Sequence, residues 1–146
     1  LKSKGVSAKL IITGIEEKEI AGDIKENVQA SGWVTEIEKE SLMARSDFLI
    51  MPSDFEGSSM SVIESLVNSL PCLVSPASSE TVEINDLIIP LDDVEEWSDR
   101  IVKLSKPDEY ARIIELIEVQ SEKYSVQSNK KNIKSLYDEM LLVKQQ

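Results

Sequence analysis

Five short apolar runs, each closed or interrupted by glycine or proline, limit this chain more than any other feature. They are KLIITG (Lys9–Gly14), NVQASGW (Asn27–Trp33), DFLIMP (Asp47–Pro52), CLVSP (Cys72–Pro76) and DLIIP (Asp86–Pro90). Runs of this length, stopped by breakers, predict strands. Helical phrases fall between them. Thr35 and Glu38 form a T-x-x-E capping box, which starts a helix running to about Ser46. A second helix is expected over Ser59–Leu70. Strands alternating with helices predict an α/β fold, with a parallel sheet covered on both faces.

From Asp92 the pattern turns wholly helical. Trp97, Ile101 and Leu104 recur at helical spacing, as do Tyr110, Ile113, Ile114 and Ile117. Ile133, Leu136, Tyr137, Met140 and Leu141 repeat the pattern at the end. All three stripes read as core-facing surfaces. The reading is a Rossmann-like domain over residues 1–105 and a tail of C-terminal helices, 106–146, packing on it. No repeat or low-complexity linker divides the 146 residues.

Composition excludes several classes. The chain carries a net charge of −11, which argues against nucleic acid and anionic membrane as direct partners. It has no histidine and a single cysteine, so neither an imidazole base nor a Cys/His zinc site is available. No metal is expected. Cys72, in an apolar run, reads as a buried small residue, and one cysteine without a partner suits a reducing compartment. No apolar run reaches the eighteen or so residues of a membrane span, and the first residues lack a secretory h-region. These features point to a cytoplasmic location.

The distribution of charge says more. Between Arg45 and Arg100 there is no Lys or Arg, yet twelve Asp and Glu fall there. A phosphate handled by this stretch must meet backbone amides or cations from elsewhere. Within the stretch, Glu56 lies in a Gly/Ser turn and Glu64 on the following helix. Taken singly, Glu56 is a loop acid. Glu64 is a solvated carboxylate on the face shared with Ser61, Ser65, Asn68 and Ser69, opposite an apolar arc of Val62, Ile63, Leu66, Val67 and Leu70. Their setting adds more. The turn follows the carboxyl end of DFLIMP, where open α/β sheets bind ligands. Gly57, Ser58 and Ser59 approach a helix start, whose free N–H groups accept an anion. A carboxylate two turns along can accept both hydroxyls of a vicinal diol. A phosphate between two polyols describes a nucleotide-sugar.

Glu56 and Glu64, spaced E-x7-E, follow Pro52-Ser53 and precede S-L-P-C-L-V-S (residues 69–75). This set resembles the donor-site signature of retaining GT-B glycosyltransferases of the group 1 type, the family of many bacterial capsular and exopolysaccharide transferases. Pro52, Ser53, Glu56, Gly57, Glu64 and Pro71 stand in register with the family pattern. LIITG, VQASGWV and the segment from Glu80 to Ile101 are similar to further family segments. The resemblance covers about residues 8–105. The chain departs from the pattern at Ser58-Ser59 and at Ser69, where the family usually has glycine.

The resemblance implies the C-terminal, donor-binding half of a GT-B fold that lacks its first strand. It implies transfer of a hexose, with retention, from a UDP- or GDP-linked donor to an acceptor hydroxyl, in polysaccharide or glycolipid synthesis. No cofactor or metal is implied. Glu56 would contact the transferred sugar and act as the catalytic residue. Gly57, Ser58, Ser59 and Met60 would lie along sugar and diphosphate, Glu64 would hold the ribose diol, and Trp33 and Val34 would border the base. The family's Arg and Lys on the diphosphate have no match here. An acceptor saccharide, free or lipid-linked, would be met by a missing N-terminal domain. The longer protein would be cytoplasmic or peripheral at the inner face of the membrane. This chain alone would be an inactive fragment.

Three other readings compete. One is an inactive GT-B-like interaction or nucleotide-binding module. A phospho-receiver domain needs an Asp at the strand tip, where this chain has Leu49-Ile50-Met51. A dinucleotide enzyme needs G-x-G-x-x-G, which does not occur.

Overall fold

The computed structural model describes residues 1–22 and 26–143, with side chains as far as 138. Among these residues four strands form: β1 (Leu10–Ile12), β2 (Val28–Ala30), β3 (Leu49–Met51) and β4 (Cys72–Val74). Five α-helices accompany them: α1 (Glu36–Ala44), α2 (Met60–Val67), α3 (Val94–Leu104), α4 (Pro107–Ser121) and α5 (Val126–Val143). Every strand pair is parallel, as the alternation of strand and helix predicts. The single expected sheet, however, is two two-stranded ones, β1–β2 and β3–β4.

The capping box acts as read from the sequence. Thr35 Oγ1 accepts from Glu38 N at 3.3 Å, and Glu38 Oε2 accepts from Thr35 N at 2.8 Å. The Thr35 N–H and, at 2.8 Å, the Thr35 hydroxyl both donate to Oε2, which favours the ionised carboxylate and holds the Glu38 pKa below its ordinary value. DLIIP behaves differently. Its first half is a 3-10 turn, Asn85–Leu87, and what remains is one parallel bridge from Ile88 to Val74. A run ended by Pro90 and led in by a turn leaves too few extended residues for a ladder.

The core gathers around β4, all of whose residues are buried, with Val62 and Leu66 of α2 and Ile113 and Ile117 of α4. Each of these aliphatic side chains contributes about 1.5–3 kcal/mol on burial. Helix α4 packs against both α2 and α3. Trp97 anchors α3, donating Nε1–H to the Pro90 carbonyl at 2.9 Å.

The buried face of α2 is rotated from the helical-wheel expectation. Ser65 is buried and donates to Leu70 O at 2.7 Å, whereas Val67 is exposed. The turn that leads out of α2 supplies a carbonyl at the core, and a short hydroxyl can satisfy it there. The last stripe also departs from expectation. On α5, Ile133, Leu136 and Tyr137 are exposed rather than core-facing. The principal neighbour of α5 is the one-turn helix Glu122–Tyr124 that leads into it, so periodicity there has no core to face. Met140 and Leu141 lie outside the residues whose side chains are described.

Candidate functional site

The loops that follow β2 and β3, and helix α2 beyond the second of them, hold the singled-out residues. After β3, Pro52 ends the strand and the chain turns through Ser53–Gly57 into α2. Ser53 Oγ donates to Glu56 Oε1 at 2.8 Å. Ser75, just past β4, donates its hydroxyl to the Ser53 carbonyl. The relay Ser75–Ser53–Glu56 ties the β3 and β4 loops together and fixes the Glu56 carboxylate, leaving it half-buried at the edge.

Ser59 is the N-cap of α2, but its side chain makes no capping bond and is buried. Its hydroxyl is therefore turned inward, and what this turn offers a ligand is backbone N–H and the positive end of the helix. Gly57 and Ser58 are exposed, and a Cβ added at Gly57 would meet nothing within 4 Å. Met60 is exposed as well. Space lies open over the whole approach to the helix.

Glu64 is not a freely solvated carboxylate. Its side chain is 29% exposed, and Lys39 of α1 reaches it, with Nζ 3.0 Å from Oε1 and 2.9 Å from Oε2. The second contact is poorly directed: Oε2 is buried and has no well-aligned hydrogen bond. Lys39 also contacts Glu36 at 2.7 Å, and the Glu36 and then the Glu64 carboxylate raise its pKa. Lys39 is the site residue that sequence reasoning missed. It stands 25 positions from Glu64 on another helix, and no local pattern marks it.

This bridge links α1, which follows β2, to α2, which follows β3. Lys39 is four residues beyond Thr35, about 6 Å along α1, so Trp33 and Val34 enter α1 just ahead of the Lys39–Glu64 contact. The loops after β1 and β2 are stitched by Gly14 N–H to Gly32 O at 2.6 Å and Gly32 N–H to Ile15 O at 3.0 Å. Gly14 and Gly32 take positive φ of 81° and 61° in these turns. Trp33 follows at 90% exposure, and Phe55 beside Glu56 is as exposed. Trp33 precedes α1 and Phe55 precedes α2, so each of the two helices joined by the Lys39–Glu64 pair is led in by a bare aromatic. Among the described residues there is no cluster of three or more metal-binding side chains.

The profile of the family described as "Glycosyl transferases group 1" matches residues 1–106. The chain belongs to that family. It is also similar to the "Putative glycosyltransferase EpsF" of Bacillus subtilis (strain 168), at 28% identity over 90 residues. That match covers 57% of this chain and 23% of the relative, so the chain spans about a quarter of the relative's length. No helix among the described residues is long and apolar enough to cross a membrane.

Proposed function

We propose that this group 1 glycosyltransferase chain binds the nucleoside-diphosphate sugar for a retaining hexosyl transfer. The observation that carries the reading is the placement of Glu56 and Glu64 on either side of the uncapped start of α2, at the carboxyl edge. Glu56, held by Ser53, accepts hydroxyls of the transferred hexose. Glu64 accepts the ribose diol. The amides of Gly57, Ser58, Ser59 and Met60 follow sugar and diphosphate, and Trp33 and Val34 border the base. Catalysis in this reading is electrostatic: preorganised donors stabilise the leaving diphosphate, and neither carboxylate needs to become a covalent nucleophile. No metal takes part.

The whole enzyme's chemistry extends beyond this chain. The acceptor hydroxyl, on a saccharide or lipid-linked saccharide, belongs to the half that this chain does not contain. Further cations for the diphosphate come from that side, because Lys39 is already shared between two carboxylates. A soluble or membrane-peripheral cytoplasmic enzyme of polysaccharide synthesis fits this reading, and the name of the B. subtilis relative is in keeping with it. The second reading, an inactive nucleotide-binding module, draws on Lys39 occupying Glu64 and on the Ser58-Ser59 departure.

Calorimetric titration with UDP and GDP tests the donor site on this chain. Amide bonds and a helix end of about 1 kcal/mol each predict binding near the millimolar range, about −4 kcal/mol. Micromolar binding would show a complete site here. The longer protein, given UDP- and GDP-hexoses, should transfer one of them, and NMR of the product should show the donor's anomeric configuration. Binding without any transfer would favour the inactive module.

A further inference from the structure

Lys39 and the ribose diol of the proposed donor need the same carboxylate. Glu64 has two oxygens to offer, and Lys39 Nζ stands 3.0 Å from Oε1 and 2.9 Å from Oε2. Near-equal distances put the ammonium against both oxygens at once rather than beside one. A vicinal diol engages a carboxylate by donating one hydroxyl to each oxygen, so it needs the space that Nζ fills. The lysine contact is uneven. Oε1 accepts a directed bond from Nζ, whereas Oε2 is buried and has no well-aligned donor. A buried acceptor in that condition is costly, and a second donor aimed at it would recover the cost.

Lys39 also has somewhere else to go. Glu36, three positions earlier on α1, lies 2.7 Å from the same Nζ, nearer than either oxygen of Glu64. Of the two carboxylates, Glu36 raises the Lys39 pKa more. Its side chain is 81% exposed, so an ammonium that moves towards it moves into water. Leaving Glu64 therefore costs Lys39 one partner and keeps the shorter contact. We propose that Lys39 is a specificity-determining residue of the donor site: it holds Glu64 in the free chain, yields it to the ribose diol when the nucleotide binds, and stays on Glu36.

This inference rests on the donor reading of Glu64 and adds a competitor to it. The exchange sets how much the site gains from ribose over deoxyribose. A nucleotide with both hydroxyls replaces the lysine at both oxygens of Glu64. One without the 2′-hydroxyl brings a single donor and leaves Lys39 in place. The gain from the diol is thus reduced by whatever the Lys39–Glu64 contact contributes, a factor of about two to five for a partly exposed ion pair. Lys39 also carries a positive charge near the diphosphate, but that attraction acts equally on both nucleotides. It cancels when their affinities are compared as a ratio.

NMR titration of the 146-residue chain tests it, with UDP against 2′-deoxy-UDP and GDP against 2′-deoxy-GDP. The quantity read is the Kd of the deoxy form divided by that of the ribose form. Lys39→Met should raise this ratio by about two- to fivefold. Glu36→Gln removes the lysine's other partner, binds it more firmly to Glu64, and should lower the ratio. Glu64→Gln should bring it near one, with or without Lys39. Should Lys39→Met not fold, the exposed Glu36 variant decides alone. A ratio above one in the unaltered chain that neither rises in Lys39→Met nor falls in Glu36→Gln overturns the exchange and leaves the donor reading standing. A ratio of one in every form means that Glu64 does not meet the ribose, and both fall together. No saturable binding of any of the four nucleotides likewise removes both.

Discussion

Lys39 Nζ sits within 3.0 Å of both carboxylate oxygens of Glu64 and 2.7 Å from Glu36. The pair joins α1 to α2 across the edge where the E-x7-E acids lie, in a stretch with no cation of its own. Partial burial of both side chains strengthens the attraction above that of an open surface pair, although desolvation offsets part of it. A double-mutant cycle with Lys39→Met and Glu64→Gln, read by urea unfolding, should give a favourable coupling between the two residues. A coupling near zero would mean the bridge holds nothing in place.

The two acids should separate kinetically in the longer enzyme. Glu64→Gln removes a charged acceptor from a diol and should weaken donor binding by about 1–3 kcal/mol. Glu56→Gln should lower kcat more than donor affinity, because its partner is the reacting sugar. Steady-state kinetics with the preferred donor checks both, and unchanged activity in both variants would count against the donor reading.

Ser69 is the one non-glycine residue at positive φ among those described, at 55°. It follows α2 where the resembling family usually has glycine. The left-handed region costs a residue with a Cβ roughly 1–2 kcal/mol, and glycine's greater freedom when unfolded returns part of that. Ser69→Gly should therefore stabilise the chain by about 0.5–1 kcal/mol, seen as a higher urea midpoint. No change would mean that Ser69 already recovers the cost locally.

Asp86 ties the turn before Ile88 to α3 and α4. It accepts from Arg112 at 2.5 Å and from Arg100 at 3.3 Å, with Lys103 at 3.8 Å. The Arg112 hydrogen bond, aided by the nearby positive charges, holds its pKa below the ordinary value, against the opposing effect of burial. A depressed folded-state pKa adds stability that is present above the unfolded value of about 3.9. That contribution is lost as pH falls through the folded value. Asp86→Asn should lower Tm at pH 6 and flatten its decline below pH 4. An unaltered acid limb would assign that decline to other carboxylates.

Cys72 is fully buried in β4, and burial pushes its thiol pKa up to about 12. At pH 7.5 the thiolate fraction is negligible, so a disulfide reagent such as DTNB should react only as fast as the chain unfolds. Rapid labelling of native protein would show that β4 opens locally.

What the sequence determined by itself is everything that closes within a few residues. The Thr35–Glu38 box set the start of α1 because its partners are three positions apart. Apolar runs ended by Gly14, Pro52 and Pro76 placed β1, β3 and β4, and the E-x7-E spacing put both acids around one helix start. The tertiary structure decided what depends on contacts distant in sequence. It reduced DLIIP to a single bridge, exchanged Ser65 for Val67 on the buried face of α2, and left Ile133, Leu136 and Tyr137 of α5 exposed. It brought Lys39 to Glu64 across 25 residues, and it divided the expected single sheet into two strand pairs. Periodicity shows which residues want burial, but only the packed chain supplies the surface that buries them.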